Sequence, residues 1–433
     1  MSTQTIEATE VERRIRVHLD LNDTPLLIGR LWVRVRGNRE SATFEYDPGW
    51  LDHPRRFALE PALTLGPGPF HTRKALFGSI GDSAPDRWGR VLMRREEARR
   101  ARREGRTPRA LFESDYLLRV DDEARMGALR FSLVSAGGDG PFLAEPGERR
   151  VPPLVELGRL LAAATRVTRR EERDDDLRLL IGPGASLGGA RPKVAVRDGA
   201  HGLAIAKFPG ARDDHDLVLW EGVALELAAQ AGIDVPVWRF EQIAGRRVLL
   251  LRRFDREARR RLPFLSAMSM LGADDRESRS YLEIADALRR HGAAVRRDLT
   301  ELWRRVVFSI LISNTDDHLR NHGFLYEDGQ GWRLSPAYDL NPTPAEIRPR
   351  LLQTYIDEYD GAASVDRALA TAAYYGLDLD DAKRIVGEVG RAVSAWRGTA
   401  AGFGASPEEI MRMESAFEHE DLDEATRDTA PSR

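Results

Sequence analysis

A chain of 433 residues exceeds what one hydrophobic core usually organises, so two or three packed units are expected. An apolar fraction of 42% and a charged fraction of 31% are ordinary for a globular protein, and a formal net charge of -3 argues against a mainly electrostatic nucleic-acid binder. The absence of cysteine excludes disulfides and thiolate metal sites and fits a reducing compartment.

The N-terminus, Met1 to Thr5, lacks the charged-then-apolar pattern of a signal peptide. Apolar runs such as Val306 to Ile312 are too short to span a bilayer, so a cytoplasmic protein without membrane contact is expected. Alternating apolar residues from Ile15 to Leu19, a run from Leu26 to Val35 through Gly29, and a third run from Ala42 to Tyr46 predict a small antiparallel sheet. A Pro/Gly-rich loop, Leu65 to Pro69, leads to a helix whose end is dense in charge from Arg94 to Arg106. Glu96, Glu97 and Glu104 interleave those arginines, which is the pattern of a solvated helix face rather than a nucleic-acid contact.

Between Ser135 and Pro153 the composition turns to Gly, Pro and Glu, as at a domain boundary. The expected division is a β-rich domain over 1–136, a mixed lobe over 150–256, a helical lobe over 257–413 and an acidic, fraying tail over 414–433. The only lysines are Lys74, Lys193, Lys207 and Lys383 in a chain otherwise using arginine, and two of them fall in the mixed lobe. A compact ammonium suits a phosphate site where a planar guanidinium does not.

In the mixed lobe, Ile181 to Lys193 is rich in glycine and precedes the alternating strand Val194-Ala195-Val196. Glycines let backbone amides approach phosphate oxygens, although an ordinary hairpin turn has the same composition. The strand Leu203 to Pro209 then places one ammonium, Lys207, in an apolar run, and burying it requires an anion. Two anions qualify: nucleotide phosphates, and Glu221. On the helix from about Asp216 to Ala231, Glu221 projects within the apolar stripe of Leu217, Trp220, Ala224 and Ala228, while Glu226 points away. The Lys207 and Glu221 pair reads either as the strand-lysine and helix-glutamate pair of a kinase or as a structural salt bridge. The strand Val248 to Leu251 runs into Arg252-Arg253-Phe254-Asp255-Arg256, which would form a hinge between lobes with Phe254 as the expected wall for adenine.

In the helical lobe, Leu302, Trp303, Val306, Val307, Ile310 and Leu311 recur at helical spacing before a polar loop, Asn314 to Asn321. Asp316 to Asn321 has the D-x-x-x-x-N spacing of a kinase catalytic loop. Phosphoryl transfer needs a carboxylate to orient the attacking hydroxyl and take its proton, and an amide oxygen to hold a magnesium ion. A hairpin, Gly323 to Leu334 with a turn at Glu327 to Gly331, then delivers Asp339 through the proline-fixed segment Leu334 to Pro342, as a second magnesium ligand. His318 and His322 beside the acids suggest a transition-metal site, but hard amide and carboxylate oxygens match magnesium better.

The ordered set Ser186 to Lys193, Ala206 to Pro209, Arg253 to Arg256, Asn314 to His318 with Asn321, and Pro336 to Asp339 resembles the HipA family of toxin serine/threonine kinases. Gly81 to Arg90 and Arg125 to Leu129 resemble that family's N-terminal domain, so the likeness covers nearly the whole chain. It implies an α+β fold, two-lobed and protein-kinase-like, with a β-rich N-terminal domain and an all-helical C-lobe. It also implies a type II toxin–antitoxin system using ATP and magnesium, with a HipB-like helix-turn-helix antitoxin as partner. Operator DNA would be bound mainly through their complex, and an aminoacyl-tRNA synthetase would be the protein substrate.

By the same resemblance Ser186 matches an autophosphorylated serine, and a dianionic phosphate beside a phosphate-binding loop would clash with bound ATP. Nucleotide or metal contacts would come from Gly188, Gly189, Ala190, Arg191, Pro192, Lys193, Lys207, Arg252, Arg253, Phe254, His318, Leu319, Arg320, Asn321, Tyr338 and Asp339. Asp316 would be the catalytic base, and Asn321 and Asp339 the metal ligands. Arg191 stands where the family often has glutamine and Arg252 where it often has glutamate, so loop and hinge contacts differ in detail. Two other classes share these motifs, a catalytically weak nucleotide-binding corepressor and a small-molecule kinase.

Overall fold

The computed structural model describes residues 11–21, 24–135, 138–139, 142–143, 151–182, 189, 191–199, 202–210, 213, 215–258 and 260–427. The chain forms two compact units, one of residues 1–203 with 255–265, the other of 204–254 with 266–433.

The first unit is built on an antiparallel sheet of order β4-β3-β2-β1-β5-β6, comprising β1 (Val11–Leu21), β2 (Thr24–Arg36), β3 (Arg39–Tyr46), β4 (Pro69–His71), β5 (Leu129–Ser135) and β6 (Gly138–Asp139). The alternation read in the sequence sends Ile15, Val17 and Leu19 of β1 into the core, each with no exposed surface. β1 and β2 pair from Val11 opposite Val35 to Leu21 opposite Thr24, with a register shift at Val17/His18. Gly29 in β2 lies where any Cβ would meet the Phe44 ring and come within 2.5 Å of the Glu45 carbonyl oxygen, so the strand accepts only glycine there.

The charged helix Arg87–Arg103 opens on Asp86, whose side chain accepts the Gly89 amide at 2.9 Å. Arg94, Arg102 and Arg103 are exposed, as on a solvated face, but part of the run is also tied to other segments. Arg95 donates to the Val167 carbonyl at 2.6 Å and to Glu172 at 3.0 Å, while Arg99 and Arg103 reach Asp174 at 3.2 and 2.6 Å. Glu97 is 1% exposed and accepts from Arg100 and Arg106 at 2.9 and 2.7 Å. The run therefore fastens the helices Leu157–Arg169 and Asp174–Ile181 to the first third. The compact unit consequently extends past the Gly/Pro-rich stretch, through strand β7 (Lys193–Asp198), and its limit falls at Leu203 rather than near residue 136 or 150.

Residues 255–265 return to this unit for a polar reason. Asp255 is fully buried and accepts the Gly127 amide at 2.7 Å, and Arg256 donates to the carbonyls of Arg125 and Gly127 at 2.6 and 3.1 Å. Gly127 holds φ +75° with the Phe264 backbone 3.2 Å from where a Cβ would stand.

In the second unit, β8 (Gly202–Lys207), β9 (Trp238–Ile243) and β10 (Arg246–Arg252) pair antiparallel in the order β8-β10-β9, with Lys207 opposite Leu249 and Leu250 opposite Arg239. The helix Leu217–Gln230 packs against β10. The rest is mostly helical, with long helices at Tyr281–His291, Val295–Leu311 and Leu379–Ser394. The expected hairpin, Gly323–Glu327 with Gly331–Leu334, lies within it, and so does a short parallel pair that the sequence did not announce, Arg279–Ser280 with Thr354–Tyr355.

The tail does not fray before Arg427. Residues Glu414–Phe417 and Glu420–Arg427 are helices, and the second packs on Leu379–Ser394. The cause is a sparse set of apolar anchors: Phe417, Leu422 and Ala425 are buried, and the Phe417 ring stacks on Trp396 with centroids 4.6 Å apart.

Candidate active site

β8 ends on Lys207, which is 8% exposed, and the side chain lies between two carboxylates. Its Nζ donates to Glu221 Oε1 and, at 2.7 Å, to Asp339 Oδ1. Glu221 reaches it because Asp216 caps the helix Leu217–Gln230, accepting the Leu219 amide at 3.0 Å, and because the apolar stripe turns position 221 inward to 3% exposure. Burial alone would lower the Lys207 pKa, but the charges of Asp339 and Glu221 outweigh it and hold the ammonium above its ordinary value. An ammonium favoured in its charged form thus marks this point.

The helix Val295–Leu311 ends at Ser313, whose backbone takes φ +49°, and the polar loop follows. Asn314 fixes it to the next segment, since its Oδ1 accepts the Asn341 amide at 3.1 Å. Asp317 faces inward. It accepts from the Tyr281 hydroxyl and from Ser309 Oγ at 3.2 Å, lies 3.1 Å from His322 Nε2, and its carbonyl accepts Thr354 Oγ1 at 2.7 Å. Burial would raise the Asp317 carboxyl, but His322 and the hydrogen bonds from His322 and Tyr281 outweigh it and hold the acid ionised below its ordinary range. With Asp317 anchored inside, its neighbour Asp316 is turned out, its side chain 55% exposed.

Asn321, on the one-turn helix Leu319–Asn321, donates Nδ2 to the Asp316 carbonyl at 3.2 Å, which closes the loop. Its Oδ1 is buried and has no hydrogen-bond partner among the described residues. A buried amide oxygen without a donor is costly unless it meets a cation or a ligand, so Asn321 fits a magnesium ligand.

Asp339 is presented by a braced segment. Arg305 holds the Ser335 carbonyl at 2.9 Å, the Ala337 amide donates to the Asp234 carbonyl at 2.7 Å, and the Tyr338 hydroxyl donates to the Arg320 carbonyl at 2.7 Å. Asp339 itself has φ +60°, an uncommon conformation for a residue with a Cβ. The Tyr338 ring lies over Phe254, centroids 5.4 Å apart and tilted 32°. At the end of β10, Arg252 is exposed and its amide donates to the Val237 carbonyl at 2.8 Å, while Arg253 is 2% exposed.

Among the residues singled out in sequence, Lys207, Glu221 and Asp339 are in direct contact, Asp316 and Asn321 share one loop, and Tyr338 joins Phe254 to Arg320. Leu319 is buried, His318 is half-buried, and the exposed Arg320 side chain pairs with Asp275 at 3.0 Å. Ser186, Gly188 and Ala190 lie outside the described residues. Arg191 is exposed and Pro192 buried. Lys193 differs from expectation: it is 1% exposed, and its Nζ is engaged by Asp86 at 3.0 Å and by the Gly189 carbonyl at 3.1 Å, inside the first unit. Four residues at the loop have no signal in the sequence, Tyr281, Arg348, Gln353 and Thr354, because each touches it from a distant segment.

A buried strand ammonium held by a helix glutamate and a second acid, beside a D-x-x-x-x-N loop, defines a protein of kinase-like α+β fold. Residues 185–396 match the HipA-like C-terminal domain. This segment, just under half of the chain, is a HipA-like C-terminal domain.

A HipA chain of Shewanella oneidensis MR-1, solved with HipB and operator DNA, is similar in fold with a TM-score of 0.63 over 96% of this chain and 100% of that one, at 18% identity. A kinase-named protein of Haemophilus influenzae is 26% identical over 30% of this chain and 44% of its own, and a kinase-named protein of Sinorhizobium fredii is 28% identical over 34% and 36%. The matched region thus spans less than half the length of these curated relatives.

Proposed function

We propose that the chain is an ATP- and magnesium-dependent serine/threonine-protein kinase and the toxin component of a type II toxin–antitoxin system. The observation that carries this reading is the buried ammonium of Lys207 held between Glu221 and Asp339, in one unit with the Asp316 and Asn321 loop. Lys207 would hold nucleotide phosphates, and Arg252 to Phe254 with Tyr338 would line the adenine side. Magnesium, held by Asn321 Oδ1 and Asp339, would neutralise charge on the phosphates when bound.

Asp316 would accept the proton of the acceptor hydroxyl. The hydroxyl oxygen then bonds to the γ-phosphorus as the bond to the β–γ bridging oxygen breaks, leaving ADP. Gly188 to Lys193 and the autophosphorylated Ser186 belong to the proposal on sequence grounds, with Lys193 more a brace for the loop than a ligand. A HipB-like antitoxin and, through it, operator DNA are proposed partners because the similar Shewanella protein was solved with both. An aminoacyl-tRNA synthetase is the proposed substrate, by family resemblance.

The test is incubation with γ-labelled ATP and magnesium. Label on Ser186 of the wild-type chain, and none on Asp316→Ala, is expected. Asp316 is exposed, so the variant should melt as the wild type does. Equal labelling of a folded Asp316→Ala would remove the base from the assignment.

A further inference from the structure

We infer that Arg348 and Gln353 are positioning residues for the base Asp316, an inference that rests on the kinase reading above. Both donors converge on one oxygen: Arg348 Nη1 reaches Asp316 Oδ1 at 3.0 Å and Gln353 Nε2 reaches the same atom at 2.9 Å. Oδ2 is left, among the described residues, without a donor. A carboxylate held by one oxygen has its rotation fixed and its second oxygen turned to whatever hydroxyl arrives. For a base that must take one proton along one direction, that is the useful arrangement.

The two donors are themselves placed by the loop they serve. The segment bearing them follows Asp339 and is tied to the loop at both ends: the Thr343 amide donates to the Ser313 carbonyl at 3.2 Å, and the Thr354 amide and hydroxyl donate to the Asp317 carbonyl at 3.1 and 2.7 Å. Between them Arg350 is bound to the Ser313 hydroxyl and the Ile310 carbonyl, each at 3.0 Å, and to Asp421 at 2.7 Å. Arg348 sits on a turn closed by its own amide on the Pro344 carbonyl at 3.2 Å. An exposed ion pair such as Arg348 with Asp316 adds almost nothing to stability, so structure alone gives little reason for a second, uncharged donor on the same oxygen. Their effect is directional.

Single-turnover transfer from saturating γ-labelled Mg·ATP to the chain itself tests this, with Mg·ATP affinity and melting temperature measured on the same samples. Arg348→Ala and Gln353→Ala should each slow transfer about tenfold and the double variant about a hundredfold, within the range that general bases contribute. Affinity for Mg·ATP and melting should stay at the wild-type values, and Arg348→Lys should recover part of the lost rate. An unchanged rate in the double variant, beside a wild type that transfers label, overturns this inference and leaves the kinase reading intact. So does a loss of rate matched by an equal loss of Mg·ATP affinity. A wild-type chain that transfers no label overturns the kinase reading and the inference with it.

Discussion

Lys207 is the residue on which most of the local energetics turn. Removing it would strand Glu221 and Asp339, two largely buried carboxylates, without their shared cation. Lys207→Ala is therefore expected to lower the unfolding free energy by about 3–5 kcal/mol, and adding Glu221→Gln should restore part of it. Urea denaturation of the two variants checks this; a double variant no more stable than the single one would show that the carboxylates do not repel there. The pairing was legible in sequence because an ammonium in an apolar strand and a carboxylate in an apolar helix stripe each demand a partner. The contact of Asp339 with the same ammonium was not, since it joins residues 132 apart. Arg348 was hidden in a different way: in an arginine-rich chain one more arginine carries no information until the fold brings it to Asp316.

Among the elements, the helix Glu420–Arg427 departs furthest from what its composition suggests. Its acidic face reads as solvated tail, and only Leu422 and Ala425, at helical spacing, mark the side that packs. The turn before it carries a titratable lock. The His419 ring donates Nε2–H to the Leu311 carbonyl at 3.1 Å, and burial, with help from the Arg350 cation against the nearby Asp421, holds its pKa down to about 4. The unfolded chain takes up that proton near the ordinary 6.5, so the contribution is complete above that pH and declines as the pH falls toward 4. At pH 5 the wild type should have lost roughly 2 kcal/mol of its pH 7.5 stability through this group. His419→Gln should lack that increment, and parallel pH dependences for the two proteins would exclude it. The first three strands of the first sheet and the helix Val295–Leu311 were plain from period alone. Short anchored helices in charged sequence were not, because two or three apolar residues fall below what periodicity can register.

For the molecule as a whole, the change of composition between Ser135 and Pro153 marks no limit of a compact unit. The helices beyond it are fastened back by Arg95, Arg99 and Arg103, by the buried Lys193 and Asp86 pair, and by Arg256 on the carbonyls of Glu123, Arg125 and Gly127. A protease site inserted between residues 144 and 150 should therefore yield two fragments that co-elute in gel filtration at 0.15 M salt. Separation after cutting would place the boundary where composition alone suggests it. Such contacts join residues 70 or more positions apart, and no local pattern announces them.

The backbone at Asp339 has one more implication. A glycine would adopt φ +60° there without the crowding that a Cβ brings, and asparagine tolerates it well. A library randomised at this position and selected for heat tolerance alone should drift toward those residues, whereas one selected for phosphate transfer should return aspartate. The gap between the two outcomes would measure what the organism gives up in robustness to keep an acid at that angle.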